Sequence, residues 1–306
     1  MTRERAPIAL FVYNRPDHTR RTVERLRVNA MAGNSDLIVF SDAPRSSGAA
    51  PSVLAVRNYV RTITGFRSVR IVERVSNMGL ADSITEGVRE VCEQYGRVIV
   101  LEDDLETSPH FLAFMNDALE LYEDVPEVAA VSGFHLPSDI SFPETFFQCD
   151  AECWGWATWK RAWSVYNPDG RTLLAELRRR GLTRWFDQEG SYPYTKMLRD
   201  QIAGKNNSWA VRWRASVMLK GMLTVYPART LIRNIGADGS GTHSAVSAAW
   251  NTDVSETPIR VERVPVVHLQ EAYRAFVRFN RSHLPSLAQK LKGKLSAVSR
   301  RLQAVI

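Results

Sequence analysis

The sequence predicts an α/β fold built on a mostly parallel central sheet with helices on both faces. Three observations carry that prediction. Strand and helix signals alternate through the first 131 residues. The first strand segment, Ile8–Tyr13, is continuously apolar, as a strand buried on both faces must be. Each strand runs directly into polar residues, as strands ending at a ligand crevice do.

The elements follow in order. Ile8–Tyr13 is an unbroken apolar run and reads as the first strand. Asp17–Val28 reads as a helix opening behind Pro16, because proline is tolerated in a first helical turn. Leu37–Phe40 is a second strand ending at Ser41-Asp42, and Pro51–Ile63 is helical. Ser68–Val72 is a third strand, followed by Asn77-Met78-Gly79 and a helix over Leu80–Tyr95. Ile84, Val88 and Val91 line one side of that helix. Val98–Leu101 is a fourth strand leading into Glu102-Asp103-Asp104; Pro109–Tyr122 is helical and Val128–Val131 is a fifth strand. From Ser132 the texture changes: four tryptophans crowd Cys149–Trp163, residues 167–207 are polar and helix-like, and Leu223–Tyr226 reads as a late strand. One domain over residues 1–272 is expected, with a ligand half at 1–131 and a second half at 132–272.

Composition narrows the function classes. The chain has 306 residues with 44% hydrophobic and 24% charged, ordinary for a folded protein. Its net charge of +7 is unevenly placed. Arg274, Arg278, Arg281, Lys290, Lys292, Lys294, Arg300 and Arg301 occur after residue 273 with no acid among them, so the body is nearly neutral and does not read as a nucleic-acid binder. The early apolar run is far shorter than the roughly 20 residues that span a bilayer, and no secretory leader is expected. Cys92, Cys149 and Cys153 lack the four-ligand spacing of a structural zinc site and read as reduced thiols. Neither G-x-G-x-x-G nor G-x-x-x-x-G-K-[ST] is present, which argues against dinucleotide enzymes and P-loop ATPases.

The acid triplet after the fourth strand is the most informative segment. Three adjacent carboxylates at a buried strand end repel one another and are costly to desolvate. A hard divalent cation, Mn2+ or Mg2+, removes that cost and would neutralise a diphosphate. A solvated acidic turn ahead of Ser108-Pro109 is the plainer alternative.

In context, Val100-Leu-Glu-Asp-Asp-Leu-Glu-Thr-Ser-Pro109 resembles the metal-binding motif of GT-A glycosyltransferases, especially the Golgi N-acetylglucosaminyltransferases that initiate N-glycan branches. Ile8–Pro16, Ser41-Asp42 and Asn77-x-Gly79-Leu-Ala resemble the bacterial family-two enzymes. Cys153-Trp-Gly-Trp-Ala-Thr-Trp159, Ser208-Trp-Ala-Val-Arg-Trp213 and Asp238-Gly-Ser-Gly-Thr-His243 resemble bacterial members of the same superfamily. The resemblance covers roughly residues 7 to 245. It implies a nucleotide sugar, UDP-linked by expectation, in the crevice. It implies that Asp104 binds the metal, with Glu102 and Asp103 on the ribose and sugar side. Arg15 and Asp42 match nucleotide contacts, Asp42 near the uracil; an Asx turn before Pro44 is the other reading of Asp42. Asn77 reads either as a donor contact or as a helix cap. His243, in a loop with Gly236, Gly239 and Gly241, matches a late metal or diphosphate ligand, and the loop matches a closing lid.

On the acceptor side, Trp154-Gly155-Trp156 is expected to shape a sugar pocket, with Trp159 and Trp163 in the core. Arg212 reads as a phosphate contact or a structural ion pair. An inverting transfer needs a carboxylate base. Where related enzymes carry an acidic pair, this chain reads Ser208-Trp-Ala-Val-Arg-Trp and has none. Asp187, Glu189 and Asp200 are the substitutes, Asp187 first. The acceptor is expected to be a surface glycan or its lipid-linked precursor. A sugar-nucleotide nucleotidyltransferase and a non-catalytic carbohydrate-binding protein are the alternatives.

Residues 273–306 read as a separate basic tail. Leu284, Leu287, Leu291, Leu295, Val298, Leu302 and Val305 fall on one helical stripe with bases on the other faces. A helix of this kind suits the surface of an anionic membrane, with residues 280–306 making the contact; a helix docked on the body with a solvated basic face is the other reading. The expected location is therefore cytoplasmic, peripheral to the inner face of the cell membrane.

Overall fold

The computed structural model describes residues 4–138, 140–238, 250 and 253–283. The strands are β1 (Ile8–Val12), β2 (Asp36–Ser41), β3 (Ser68–Glu73), β4 (Arg97–Glu102), β5 (Leu105–Thr107), β6 (Val128–Ser132), β7 (Thr145–Gln148), β8 (Trp156–Trp159), β9 (Leu223–Pro227) and β10 (Ile232–Asn234). The helices are α1 (Pro16–Arg27), α2 (Ala50–Val60), α3 (Leu80–Tyr95), α4 (Phe111–Leu121), α5 (Lys160–Trp163), α6 (Gly170–Arg179), α7 (Thr183–Phe186), α8 (Tyr194–Ile202), α9 (Trp209–Leu219) and α10 (Gln270–His283).

Eight strands form one sheet in the order β3-β2-β1-β4-β8-β6-β9-β7. The β3-β2-β1-β4 half is parallel throughout, as its βα units require. β6 and β9 run the same way, so six strands point their carboxyl ends to one edge. β8 and β7 run against them. β8 is the topological hinge: it inserts antiparallel between β4 and β6, pairing Trp156 with Val100 on one side and with Ser132 on the other. β5 and β10 form a separate two-stranded ribbon beyond the end of β4.

The central strands are buried because both faces are covered, whereas β3 at the sheet edge is partly exposed. All of β1 is buried, and its Phe11 ring stacks on Phe40 of β2 at 4.9 Å. α3 crosses that pair at Gly87, where a Cβ would stand 2.7 Å from the Phe11 ring, so only glycine lets the helix come this close. α3 stops at Gly96, which takes a left-handed φ of 77° and returns its N–H to the Cys92 carbonyl. On the far side, Trp156, Trp163, Trp209 and Trp213 stack together, with ring centroids 5.5 Å apart for Trp156–Trp209 and 4.9 Å for Trp163–Trp213. That cluster locks β8 to α5 and α9. A second core of Leu173, Leu177, Phe186, Leu198, Val211 and Ala215 holds α6, α7, α8 and α9 together.

α10 runs across the expected junction at residue 272 and buries Ala272, Ala275, Phe276, Val277 and Asn280. Residues 273–283 are therefore packed on the body. The stripe expected from Leu284 to Val305 lies outside the described residues. Among the described residues no helix is long and apolar enough to cross a membrane.

Candidate active site

β1 and β4 are hydrogen-bonded neighbours, with Phe11 opposite Glu102. Their carboxyl ends therefore deliver Arg15 and the acid triplet to the same corner. Arg15 lies just ahead of α1, and its guanidinium bridges Asp103 and Asp104; the contact to Asp104 is 2.9 Å. Thr22 of α1 donates to the Asp103 carbonyl at 2.9 Å, and the Ile235 N–H donates to the Asp104 carbonyl at 2.8 Å. The turn is thus pinned through its backbone carbonyls, while Arg15 holds the carboxylates of Asp103 and Asp104.

Burial and mutual repulsion set the electrostatics of this corner. Burial pushes the Glu102 carboxyl up to about 8, and repulsion from Asp104 and Asp103 adds to that; Arg15 offsets part of it. Burial raises Asp103 to about 6 against the pull of Arg15. Burial alone would discourage the Arg15 charge, yet the two aspartates more than compensate and hold it firmly protonated. Glu102 has no hydrogen-bond donor among the described residues. Gly236, two residues past β10, closes the corner: a Cβ there would collide with the Asp104 carboxylate and come within 3.0 Å of the Arg15 guanidinium. Glycine there is explained by close approach, beyond any mobility of the loop.

Behind the corner, Glu106 of β5 is buried between Arg21 of α1 at 2.7 Å and Arg233 of β10. These pairs fasten the small ribbon to α1 and so fix the far wall.

Asp42 and Asn77 lie at the ends of β2 and β3, as the sequence places them, but they face each other. Asp42 is 5% exposed and accepts from the Ala43, Met78 and Gly79 N–H groups at 2.8–2.9 Å and from Asn77 Nδ2 at 3.0 Å. Four donors fill the roughly four lone-pair sites of a carboxylate, so no acceptor is left for a uracil. Asn77 also donates to the Ala43 carbonyl at 2.7 Å. The pair ties two strand ends together and shapes the crevice wall.

Other expected site residues fall elsewhere. Trp156 is 1% exposed inside the tryptophan stack, so it is core and not acceptor pocket. Gly155 has φ of 60°, and a Cβ there would strike Ile232 of β10; the close neighbour is the protein's own ribbon. Arg212 is buried, donating to the Ser208 carbonyl at 3.1 Å, the Pro168 carbonyl at 3.3 Å and Asn207 at 3.2 Å, and is structural. Asp200 pairs with Lys196 and Lys205 on the outside of α8. Glu189 pairs with Arg184 at 2.6 Å, and Asp187 accepts from the Thr195 N–H at 2.5 Å at the start of α8. The last three are thus used on local structure, which leaves none of them positioned as a base. Trp159 and Trp163 are core, as expected. His243 and the Gly239–Gly241 loop lie outside the described residues.

Trp154 does stay at the crevice edge, partly exposed, packed on Phe134 at 4.7 Å and facing Trp250 at 6.2 Å. Two residues before it is an acid that the sequence reading passed over, Glu152. It lines a small cavity with Phe134, Tyr194, Tyr226 and Trp250. Burial raises its carboxyl above the ordinary carboxylate range, against hydrogen bonds from the Cys153 and Trp154 N–H groups. An acid just ahead of an aromatic turn into a central strand was the available signal.

A divalent cation fits the corner in donor chemistry, since hard carboxylate oxygens are what Mg2+ and Mn2+ take. It does not fit in closure: Arg15 holds Asp103 and Asp104, and among the described residues no three candidate ligands converge on one point. Arg15 takes one oxygen of Asp104, so an ion there would compete with the guanidinium.

No family model matches the chain, and no curated protein matches it. Among solved structures it is similar to S. aureus TarS at 12% identity, covering 45% of this chain and 23% of that one with a TM-score of 0.30. It is also similar to the mannosyltransferase PcManGT from Pyrobaculum calidifontis, solved in complex with GDP-Man and Mn2+, at 14% identity, covering 71% of this chain and 69% of that one with a TM-score of 0.37. The chain thus spans about a quarter of TarS. At such scores the case for function rests on the residues.

Proposed function

We propose that the protein is a glycosyltransferase of the GT-A type that takes a nucleotide sugar at the β1–β4 corner. The observation that carries this reading is the meeting of Arg15 with Asp103 and Asp104 at the carboxyl ends of two adjacent parallel strands. Open α/β sheets bind ligands at that edge. An arginine between two acids suits a diphosphate, because its guanidinium would pair with the phosphates if an ion took its place on the acids. Asp104 would hold Mn2+ or Mg2+, which when bound neutralises the departing nucleoside diphosphate. Glu102 and Asp103 face the ribose and sugar side. Asp42 and Asn77 set the wall behind the base, with a UDP-linked donor as the first candidate. The acceptor is a surface glycan or a lipid-linked glycan, entering past Trp154.

The test is calorimetry and turnover with UDP-, GDP- and dTDP-sugars, with and without Mn2+. One of these donors is expected to bind in the micromolar range only with the metal present. Absence of binding by every donor overturns the reading.

The membrane contact is proposed for the basic stripe after His283, at the cytoplasmic face. Each base near an anionic surface adds about 1 kcal/mol. Deleting residues 284–306 is expected to release the protein from phosphatidylserine liposomes while donor binding persists; a sedimentation assay that finds the truncated chain still bound removes this proposal. The cut must spare Asn280, whose side chain bonds Gln188 at 2.6 Å in the interior.

A further inference from the structure

We propose that Glu152 is the general base that takes the proton of the acceptor hydroxyl, and that Trp154, Tyr192 and Trp250 form the wall against which a neutral sugar ring of the acceptor lies. The inference rests on the glycosyltransferase reading and deepens it.

Position comes first. Trp156 opens β8 opposite Val100 of β4. β8 starts two residues short of Glu102, and Gly155, with φ of 60°, turns the chain out of the sheet there, so the Glu152–Trp154 turn leaves near the carboxyl end of β4. Phe134 and Tyr226, which follow β6 and close β9, put the Glu152 cavity over the neighbouring strands at the same edge. Donor corner and cavity are therefore adjacent, with the Glu152–Trp154 turn between them. The Cys153 thiol, sited between, feels both Glu152 and Glu102.

Chemistry comes second. Two acids line the cavity, and only one is available. Asp150 is paired with the buried Arg214 and accepts from Gln188 Nε2 at 3.1 Å. Glu152 is paired with no cation among the described residues; its Oε1 accepts from its own turn at Cys153, 3.0 Å. Tyr192, Tyr194, Tyr226 and Cys153 surround it and are themselves held protonated by burial. A carboxylate so poorly solvated is a stronger base than one in water.

Recognition comes third. Among the described residues no lysine or arginine lines the cavity. Tyr192 and Trp250 are 6.0 Å apart edge to face, and Trp250 meets Trp154 in the same way. Partly exposed aromatic faces beside an acid favour the apolar face of an uncharged sugar and disfavour a phosphate.

In the step, the acceptor O–H proton passes to Glu152. The acceptor oxygen bonds to the anomeric carbon as the bond from that carbon to the phosphate oxygen breaks. Its electron pair leaves with the nucleoside diphosphate.

The test measures nucleoside diphosphate release by the full chain with UDP-glucose, UDP-N-acetylglucosamine or GDP-mannose plus Mn2+, using free monosaccharides and p-nitrophenyl glycosides as acceptors. Glu152→Gln keeps the oxygen that accepts from the turn. It is expected to lower turnover by about 10²–10⁴-fold while donor affinity by calorimetry stays within about twofold of the parent. Glu152→Asp is expected to recover part of the rate and decides the question if the glutamine variant melts early. Trp154→Ala is expected to raise the acceptor KM severalfold at nearly unchanged kcat. Glutamine and aspartate variants that both turn over like the parent overturn the base assignment alone. A parent that neither binds nor cleaves any of these donors overturns both readings.

Discussion

Replacing Asp104 by asparagine is expected to lower nucleotide-sugar turnover by at least about 100-fold and to abolish its dependence on Mn2+. The size follows from the role: losing one preorganised group that stabilises transition-state charge costs about 10²–10³-fold in rate. The side chain is nearly isosteric, and the turn is held by the Thr22 and Ile235 bonds to backbone carbonyls, so the corner should keep its shape. The loss is then chemical, and a melting curve close to the parent's checks that. Arg15→Gln gives the opposite sign on metal binding. With the guanidinium gone, Asp103 and Asp104 lose their internal cation and are expected to bind Mn2+ alone several-fold more tightly, read by electron paramagnetic resonance. The same variant should bind the nucleotide sugar more weakly, because the diphosphate loses a charge partner. Asp104→Asn with full turnover would mean that the acid corner is a structural turn.

Much of this was legible in the sequence, for definite reasons. β1, β2 and β4 are buried on both faces, so each appears as an unbroken apolar run, and each intervening helix carries a stop or start signal such as Gly96 or Pro16. The acid triplet is contiguous and follows such a run, so its place at a strand end was readable directly. β8 was not: Trp156-Ala-Thr-Trp159 has four residues, and its placement between β4 and β6 depends on partners at Val100 and Ser132. The same dependence misled the reading of Trp156, since spacing along the chain cannot reveal that Trp209 and Trp213 stack on it from α9. β5 and β10 are three residues each, too short for any periodicity. Asp42 was located correctly, but its filling by Asn77, Met78 and Gly79 required the third strand to be docked beside the second. Along the chain Asp150 and Glu152 look alike; only the buried Arg214, brought in by α9, separates the paired acid from the other.

That pair sets the largest stability effect to be expected in the molecule. Arg214 and Asp150 are 4% and 8% exposed, and the guanidinium also lies 3.9 Å from the Tyr194 ring. Removing one partner leaves the other as an uncompensated buried charge, which costs about 3–5 kcal/mol. Arg214→Met and Asp150→Leu are each expected to lose that much in urea unfolding. The double variant, which buries no ion, should lie closer to the parent than either single one, because desolvating the pair already cost several kcal/mol per ion. Effects that simply add would mean the two charges do not interact. Turnover should separate the variants further. Asp150 anchors the chain two residues before Glu152, its carbonyl taking the Thr224 hydroxyl at 2.5 Å and its carboxylate taking Gln188. Arg214→Met keeps those bonds and should retain most of its rate under folding conditions, whereas Asp150→Leu gives up the Gln188 bond. The aspartate variant is therefore expected to lose kcat well beyond its loss of folded protein, with donor affinity unchanged.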